Sequence, residues 1–325
     1  MSRIQFWYGV RQAFAAGGLP QRWINVLGRV ARPQDCAELA YSLNGGEFVP
    51  LSVGPDKRRL AGIGDFNVEI DHADLHPGEN DLVLRWRGLD GETKEAGVTV
   101  VNEGQACAEL PLHVDWGTSL CPPGVQVVDG LWRFGDGMAV PQEIAYDRVL
   151  ALGDMEWQDY KVSVPVTIYG INAACYERPS NGYAVGVVVR WQGHHDRGPD
   201  DYCSGQPRYG WYPAGAFGVL SGRHEGPQHM LLNSYDGMKA LAGHDFGEGE
   251  SLRFGVPYML SLRVESRAGR TSRYTFQLRL EHDEKKLLWK LEADGEEGEL
   301  DRGAVVLFSH HVACAFGPVT VEPVG

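Results

Sequence analysis

The sequence predicts an all-β chain built as two sandwiches in tandem, on three observations. The 325 residues include 42 glycines and 18 prolines, a turn-rich composition with few long runs of helix formers. Apolar residues recur with a period of two along most hydrophobic segments, as on the faces of strands. Turn dipeptides punctuate those segments, notably Asn44-Gly45 and Asp90-Gly91, whose tolerance of positive φ suits hairpin corners.

Residues 1–19, with Trp7, Tyr8 and the Gly17-Gly18 break, read as a loosely attached arm. Strand rhythm begins at RWINVLGRV (22–30) and continues through ELAYSLN (38–44), EFVPLSV (47–53) and DFNVEID (65–71). The segment 77–101 adds two strands around the Asp90-Gly91 turn. Some six or seven short strands within about 80 residues suggest an immunoglobulin-like sandwich over 20–104. The Cys-Trp-Cys pattern of antibody domains is missing from it. Residues 103–112, with Gly104 and Pro111, form a linker.

From His113 the rhythm resumes on a larger scale, and 110–325 is expected to be a two-sheet jelly roll. Tyr160, Val162, Val164, Val166 and Ile168 alternate with Lys161, Ser163, Pro165 and Thr167. Pro165 cannot donate to a ladder, so it marks an edge or a bulge. In 183–191, Tyr183, Val185, Val187, Val189 and Trp191 form the inward face, leaving Arg190 and Gln192 opposite. Further strands are expected at 258–264, 274–280, 286–291, 304–308 and 319–321.

Residues 134–170 (FGDGMAV…YDRVLALGDMEWQDYKVSVPVTIYG), 182–191 (GYAVGVVVRW) and 303–324 (GAVVLFSHHVACAFGPVTVEPV) carry a resemblance. Over roughly 110–324 the chain resembles the concanavalin A-like lectin/glucanase superfamily, laminin-G-like modules especially. The resemblance implies a curved sandwich that binds glycans on its concave sheet or edge loops. Some members hold calcium, and some cleave the glycan. The phrase YSLNGGEF…PGENDLVLR likewise resembles bacterial immunoglobulin-like or fibronectin-like modules beside carbohydrate-active domains. Fold alone does not settle function.

The expected binding face centres on the strand and loop of 182–213. The loop gathers His194, His195, Asp196, Arg208, Tyr209, Trp211 and Tyr212 among Gly, Pro and Asp residues that forbid a helix. Flat rings stack on the apolar face of a pyranose while Arg and His reach its hydroxyls. Arg190, Gln192, His194, His195, Arg208, Tyr209, Trp211 and Tyr212 are therefore the candidate glycan contacts. Trp211 and Tyr212 read as stacking platforms, because Gly210, Pro213 and Gly215 keep them out of a regular strand. Trp191 reads as core.

Catalysis has weaker signals. The resemblance implies two carboxylates on alternate positions of one strand, and Asp154 and Glu156 in GDMEWQDY come nearest. Asp159 falls on the other face, and a polar turn is the simpler reading. A glycoside hydrolase or polysaccharide lyase, using that turn or the His194/His195 loop, is the alternative to a lectin; a protein-interaction module is the third. His194-His195, His310-His311 and His244-Asp245 are adjacent pairs, which point to opposite faces of a strand and do not chelate one metal. Calcium is the metal the resemblance implies, yet no continuous calcium loop appears.

Other classes are unsupported. GxSxG, GxxxxGK[ST] and GxGxxG are all missing. Thirty basic against 43 acidic residues give a net charge of −13, which argues against nucleic acid or an anionic membrane surface as partner. No run reaches membrane-spanning length and no signal peptide is visible, so a cytoplasmic location is expected. The six cysteines lack metal-ligand spacing and read as free buried thiols; Cys175/Cys203 and Cys107/Cys121 are the pairs worth checking for a disulfide.

Overall fold

A computed structural model describes residues 3–56, 58–104, 107–117, 121–171, 182–196, 207–223, 226–234, 236–237, 239–247, 249–268, 271–281 and 283–324. The first sandwich uses β1 (Ile4–Phe6), β2 (Arg11–Phe14), β3 (Trp23–Val30), β4 (Cys36–Leu43), β5 (Val49–Leu51), β6 (Asp65–Asp71), β7 (Gly78–Gly88) and β8 (Thr93–Asn102). A three-stranded sheet, β1-β3-β6, faces a five-stranded sheet, β2-β8-β7-β4-β5. Alternate residues meet between them: Ile24, Val26, Phe66 and Val68 on one side, Leu82, Leu84, Trp86 and Val100 on the other.

Residues 1–19 are not a loose arm. β1 pairs with β3, β2 runs parallel to β8, and Phe6 packs edge-on against Phe66 at 6.1 Å. Ile4 and Phe14 supply apolar area to the first core, which is why the segment stays down. Its end then crosses to the second sandwich, where Ala16 and Leu19 carbonyls accept from Gly124 N (2.6 Å) and Met155 N (3.0 Å). Gly18 makes the crossing possible: at φ +130 a Cβ would sit 2.5 Å from the Gly153 carbonyl oxygen.

The second sandwich contains β9 (Leu112–Val114), β10 (Val125–Asp129), β11 (Trp132–Gly135), β12 (Met138–Pro141), β13 (Arg148–Leu152), β14 (Tyr160–Ile171), β15 (Tyr183–Trp191) and β16 (Ala216–Gly222). It continues with β17 (Gln228–Asn233), β18 (Ala240–Asp245), β19 (Pro257–Arg267), β20 (Thr271–Leu280), β21 (Asp283–Asp294), β22 (Ala304–His310), β23 (Val312–Phe316) and β24 (Val319–Pro323). A seven-stranded sheet, β10-β13-β22-β15-β16-β17-β18, packs on a larger one, β11-β12-β23-β14-β19-β20-β21, to which β24 and β9 add. Val162, Val164, Val166, Val185, Val187, Leu260, Phe276 and Leu307 fill the space between. No α-helix occurs among the described residues, and no helix there is long and apolar enough to cross a membrane. The chain is all-β, and its second unit is a two-sheet sandwich.

Pro165 lies mid-strand, where one neighbour of β14 changes from β24 (to Ser163) to β23 (from Val166). Its missing N–H falls in that gap, and its carbonyl accepts from Gly317 N at 2.8 Å. The alternation of β15 breaks once. Arg190 adopts φ +54, and pairing with β22 shifts between Val188 and Trp191. The bulge swaps faces, turning Arg190 inward and putting Trp191 in a cluster on the outer side of the seven-stranded sheet.

Candidate functional site

The loop expected to be one exposed binding surface is divided between two environments. Its first part is buried in the seam between the sandwiches. Glu69 of β6 and Asp129 of β10 are fully buried carboxylates, and Arg59 bridges them with Nη1 2.6 Å from Glu69 and Nε 2.5 Å from Asp129. His194 Nε2 lies 3.2 Å from the other Asp129 oxygen, and Trp23 Nε1 donates to the His194 carbonyl at 2.7 Å. Arg208 donates its backbone N–H to Glu69 at 2.6 Å, lays its guanidinium over Trp23 at 3.7 Å, and its carbonyl accepts from Arg59. Tyr209 stacks under Arg58 at 4.4 Å. Asn25, Asn67 and Gln126 complete the buried hydrogen bonds.

Burial alone would raise Asp129; the Arg59 charge and the His194 contact outweigh it and hold the carboxyl below its ordinary value. A charge set this dry persists because each member is paired, and its loss would leave the others exposed to the full desolvation cost. His194 is therefore a seam residue held away from solvent. Arg190 is equally buried, spent on Asp159 (3.1 Å), Ser266 (2.8 Å), Ser272 and the Gln158 carbonyl (3.0 Å). Gln192 is half-buried; its carbonyl accepts from Arg22 N and its amide donates to the Arg302 carbonyl. His195 exchanges backbone hydrogen bonds with Gly210, and burial lowers its imidazole below the ordinary value.

The second part of the loop covers the outer face of the seven-stranded sheet. Trp211 packs half-buried against Phe217 (5.8 Å), Phe308 (5.9 Å) and His194 (4.8 Å). Tyr212 lies on Phe217 at 5.0 Å, and Gly237 passes so close that any Cβ there would strike its ring. Trp211 Nε1 donates to Asp147 Oδ2 at 2.8 Å.

Asp147 opens a polar row that strand register extends across this face. His310 pairs with Ala184, Ala184 with Ser221, Ser221 with His229, and His229 with Asp245, so all share one side. Asp147 Oδ1 holds His310 Nδ1 at 2.7 Å, and Asp245 Oδ1 holds His229 Nδ1 at 2.7 Å. A carboxylate only accepts, so each Nδ1 carries the proton. Burial would raise Asp147, but the His310 charge and hydrogen bond, then Trp211, hold it below its ordinary value. Tyr146 lies edge-on to His310 at 4.7 Å, and His311 sits 4.2 Å from the same ring. Burial, then His310, depresses His311 to about 4.

Asp154 and Glu156 are not a strand pair. They lie in a turn before β14, where Asp154 accepts from the N–H groups of Leu19 (3.2 Å), Ala108 (3.1 Å) and Glu156 (2.9 Å). Glu156 points to solvent and pairs with Arg302 at 2.8 Å. Asp154 thus ties the arm and linker to the second sandwich. Cys36, Cys107, Cys121 and Cys314 are free thiols and only Cys314 is buried, so Cys107 and Cys121 form no disulfide; Cys175 and Cys203 lie outside the described residues. No group of three or more His, Cys, Asp or Glu side chains among the described residues could hold a metal ion.

Sequence reasoning missed Arg59, Glu69, Asp129, Asp147, Ser221 and His229 as a set. They sit on separate strands or turns and carry no local motif. His310 and Asp245 were noticed only as halves of adjacent pairs, and cross-strand register is what assigns their partners.

No protein-family model matches the chain, and no curated protein matches it. Among solved structures, the VIP36 exoplasmic/lumenal domain in its Ca2+/Man2-bound form is similar at 14% identity, over 62% of this chain and 82% of that one, with a TM-score of 0.41. A structure described under endo-acting O-glycanases of the human gut microbiota that initiate mucin breakdown is similar at 10% identity, over 66% and 99%, TM-score 0.41. A third, from carbohydrate-binding modules of the beta-sandwich super family, is 10% identical over 99% and 96%, TM-score 0.21. All three scores lie below 0.5, where overlapping sheets do not define a shared family.

Proposed function

We propose that the protein binds a glycan on the outer face of the seven-stranded sheet. The observation that carries this reading is the row Asp147–His310–Ala184–Ser221–His229–Asp245. Half-exposed Ala184, Ser221 and His229, with exposed Asp245 orienting the His229 imidazole, form its open part, the buried Asp147–His310 pair closes its other end, and half-buried Trp211 and Tyr212 rise beside them. Oriented polar atoms beside aromatic surface suit a ligand that is a hydroxylated edge on an apolar ring. The row crosses five strand spacings, roughly 24 Å, which favours an oligosaccharide over a single sugar. In this reading the 3-plus-5 sandwich, with its parallel β2–β8 pair, is an immunoglobulin-like module that supports the binding sandwich, and the 20–104 and 110–325 division marks the two units.

A glycan array run with and without chelator tests the proposal and the calcium expectation together. His229→Gln should weaken the best ligand by about tenfold to a hundredfold, the scale of a charge-assisted hydrogen bond. An array with no ligand would sink glycan binding and leave a protein-interaction module. A second reading, cleavage of the bound chain, rests on the Asp147–His310 contact, since a carboxylate-held imidazole is a general-base arrangement. The two carboxylates of the row stand too far apart for a glycosidase pair, which needs about 5–9.5 Å. Oligosaccharide release that disappears in His310→Gln would establish cleavage.

A further inference from the structure

A separate cleft opens between the sandwiches, away from the sheet face. It has a volume of about 590 Å3 and is lined from the first sandwich by Trp7, Tyr8 and Gln12, and from the second by Cys121, Pro122 and Gln126. That volume falls within the range of small-molecule sites. The stretch that joins β1 to β2 and β2 itself form one wall and the approach to β10 the other, so both sandwiches must be present to make it. The wall is anchored: Tyr8 Oη donates to the Gly130 carbonyl at 3.0 Å and accepts from Trp132 N at 2.9 Å.

Gln12 and Gln126 are both buried. They spend their amide nitrogens on the protein: Gln12 on the Gly9 carbonyl at 3.0 Å, Gln126 on the Trp23 carbonyl at 2.9 Å. Their amide oxygens remain as acceptors to offer. The two charged lining residues, Arg11 and Glu103, are exposed at the rim, and Arg11 is already paired with Glu79 at 2.6 Å. The cleft therefore combines aromatic and prolyl surface with neutral acceptors, and no buried charge.

We propose that this cleft is a second ligand site, one that takes an uncharged hexopyranose unit. Its C–H face packs on Trp7 and Tyr8 while its hydroxyls donate to Gln12 and Gln126. A purely apolar occupant would strip water from two amide oxygens without replacing it, and a charged one would find no counter-charge inside. The site is independent of the row on the sheet face, and each can fail without the other.

The test uses the full chain and calorimetric titration with a panel of methyl hexopyranosides. At least one member should bind with a Kd in the millimolar range or tighter. That Kd should rise about fivefold or more in Trp7→Leu and in Gln12→Leu and stay as in the parent in His310→Gln. If Trp7→Leu melts early, Gln12→Leu decides alone. No binding by any pyranoside, binding unchanged in Gln12→Leu, or binding lost in His310→Gln each overturns the proposal.

Discussion

The seam and the sheet face use the same side chains to opposite ends. In the seam, Arg59, Glu69, Asp129 and His194 pair with one another in the dark and leave nothing to offer a ligand. On the face, Asp147 and Asp245 each hold one edge of an imidazole, and Ser221 and His229 remain half-exposed between strands. Residue type does not distinguish the two regions. What does is closure: the seam charges are enclosed by protein on both sides, whereas the row has the second sandwich beneath it and opens outward at its centre.

The sharpest way to break that comparison is to remove one seam charge. Arg59→Met leaves Glu69 and Asp129 buried together without their cation, and should cost about 3–5 kcal/mol. For a chain of this size that is a fall of roughly 4–7 °C in Tm. The triple change Arg59→Met, Glu69→Gln, Asp129→Asn should recover most of it, because no charge is then stranded. His310→Gln keeps a donor for Asp147 and should melt close to the parent. If it falls as far as Arg59→Met, the face is as structural as the seam and the distinction fails.

Trp211 stands where the two regions meet, and its truncation is the next largest effect. Trp211→Ala opens a cavity over Phe217 and Phe308 and should cost about 3 kcal/mol. Trp211→Phe retains ring packing but leaves Asp147 Oδ2 without its donor, at about 1–3 kcal/mol. Thermal melting separates these. Unchanged stability in Trp211→Ala, with glycan affinity lost, would restore the exposed stacking platform that the loop composition suggests.

A smaller effect is pH-dependent. His311 is depressed to about 4 by burial and by His310, against an ordinary value near 6.5. The unfolded chain takes up this proton first as pH falls, so stability is full above about 6.5 and declines as pH drops toward 4. Depressed Asp147 and Asp129 act below that window: their contribution is present above the ordinary carboxyl value, near 3.9, and is lost as pH falls through their lower folded values. Denaturant melts from pH 7 to 4 should show the His311 slope in the parent. His311→Asn, which tolerates the local φ of +56, should flatten it. An unchanged slope would move the titration to another histidine.

Period-two alternation and turn dipeptides made the strands legible, because both follow from local backbone geometry. β14 alternates as read, and the strand expected at 274–280 lies within β20, with Tyr274, Phe276 and Leu278 buried. The arm was not legible because β1 and β2 are three and four residues long, too short to show a rhythm, and their stability comes from partners 20 to 90 residues away. Arg190 was misplaced by one bulge, since a single shift exchanges every later side chain between faces. The polar row was invisible for a related reason. Asp147 and His310 lie 163 residues apart, and only the order of strands in the sheet makes them neighbours.

The smallest expected effect tests the carboxylates that the sequence offered. Glu156 makes an exposed pair with Arg302, which also reaches Asp301. Such pairs are screened by water and their removal rarely registers. Glu156→Gln should therefore leave the melting curve within its scatter. Asp154→Asn should be worse by comparison, because three backbone N–H groups converge on that carboxylate and tie the arm and linker to the second sandwich. Neither residue faces the sheet row, so Glu156→Gln should also leave glycan affinity and any released product unchanged. Product lost in Glu156→Gln with normal melting would reinstate the turn as a catalytic site and move the functional centre off the sheet face altogether.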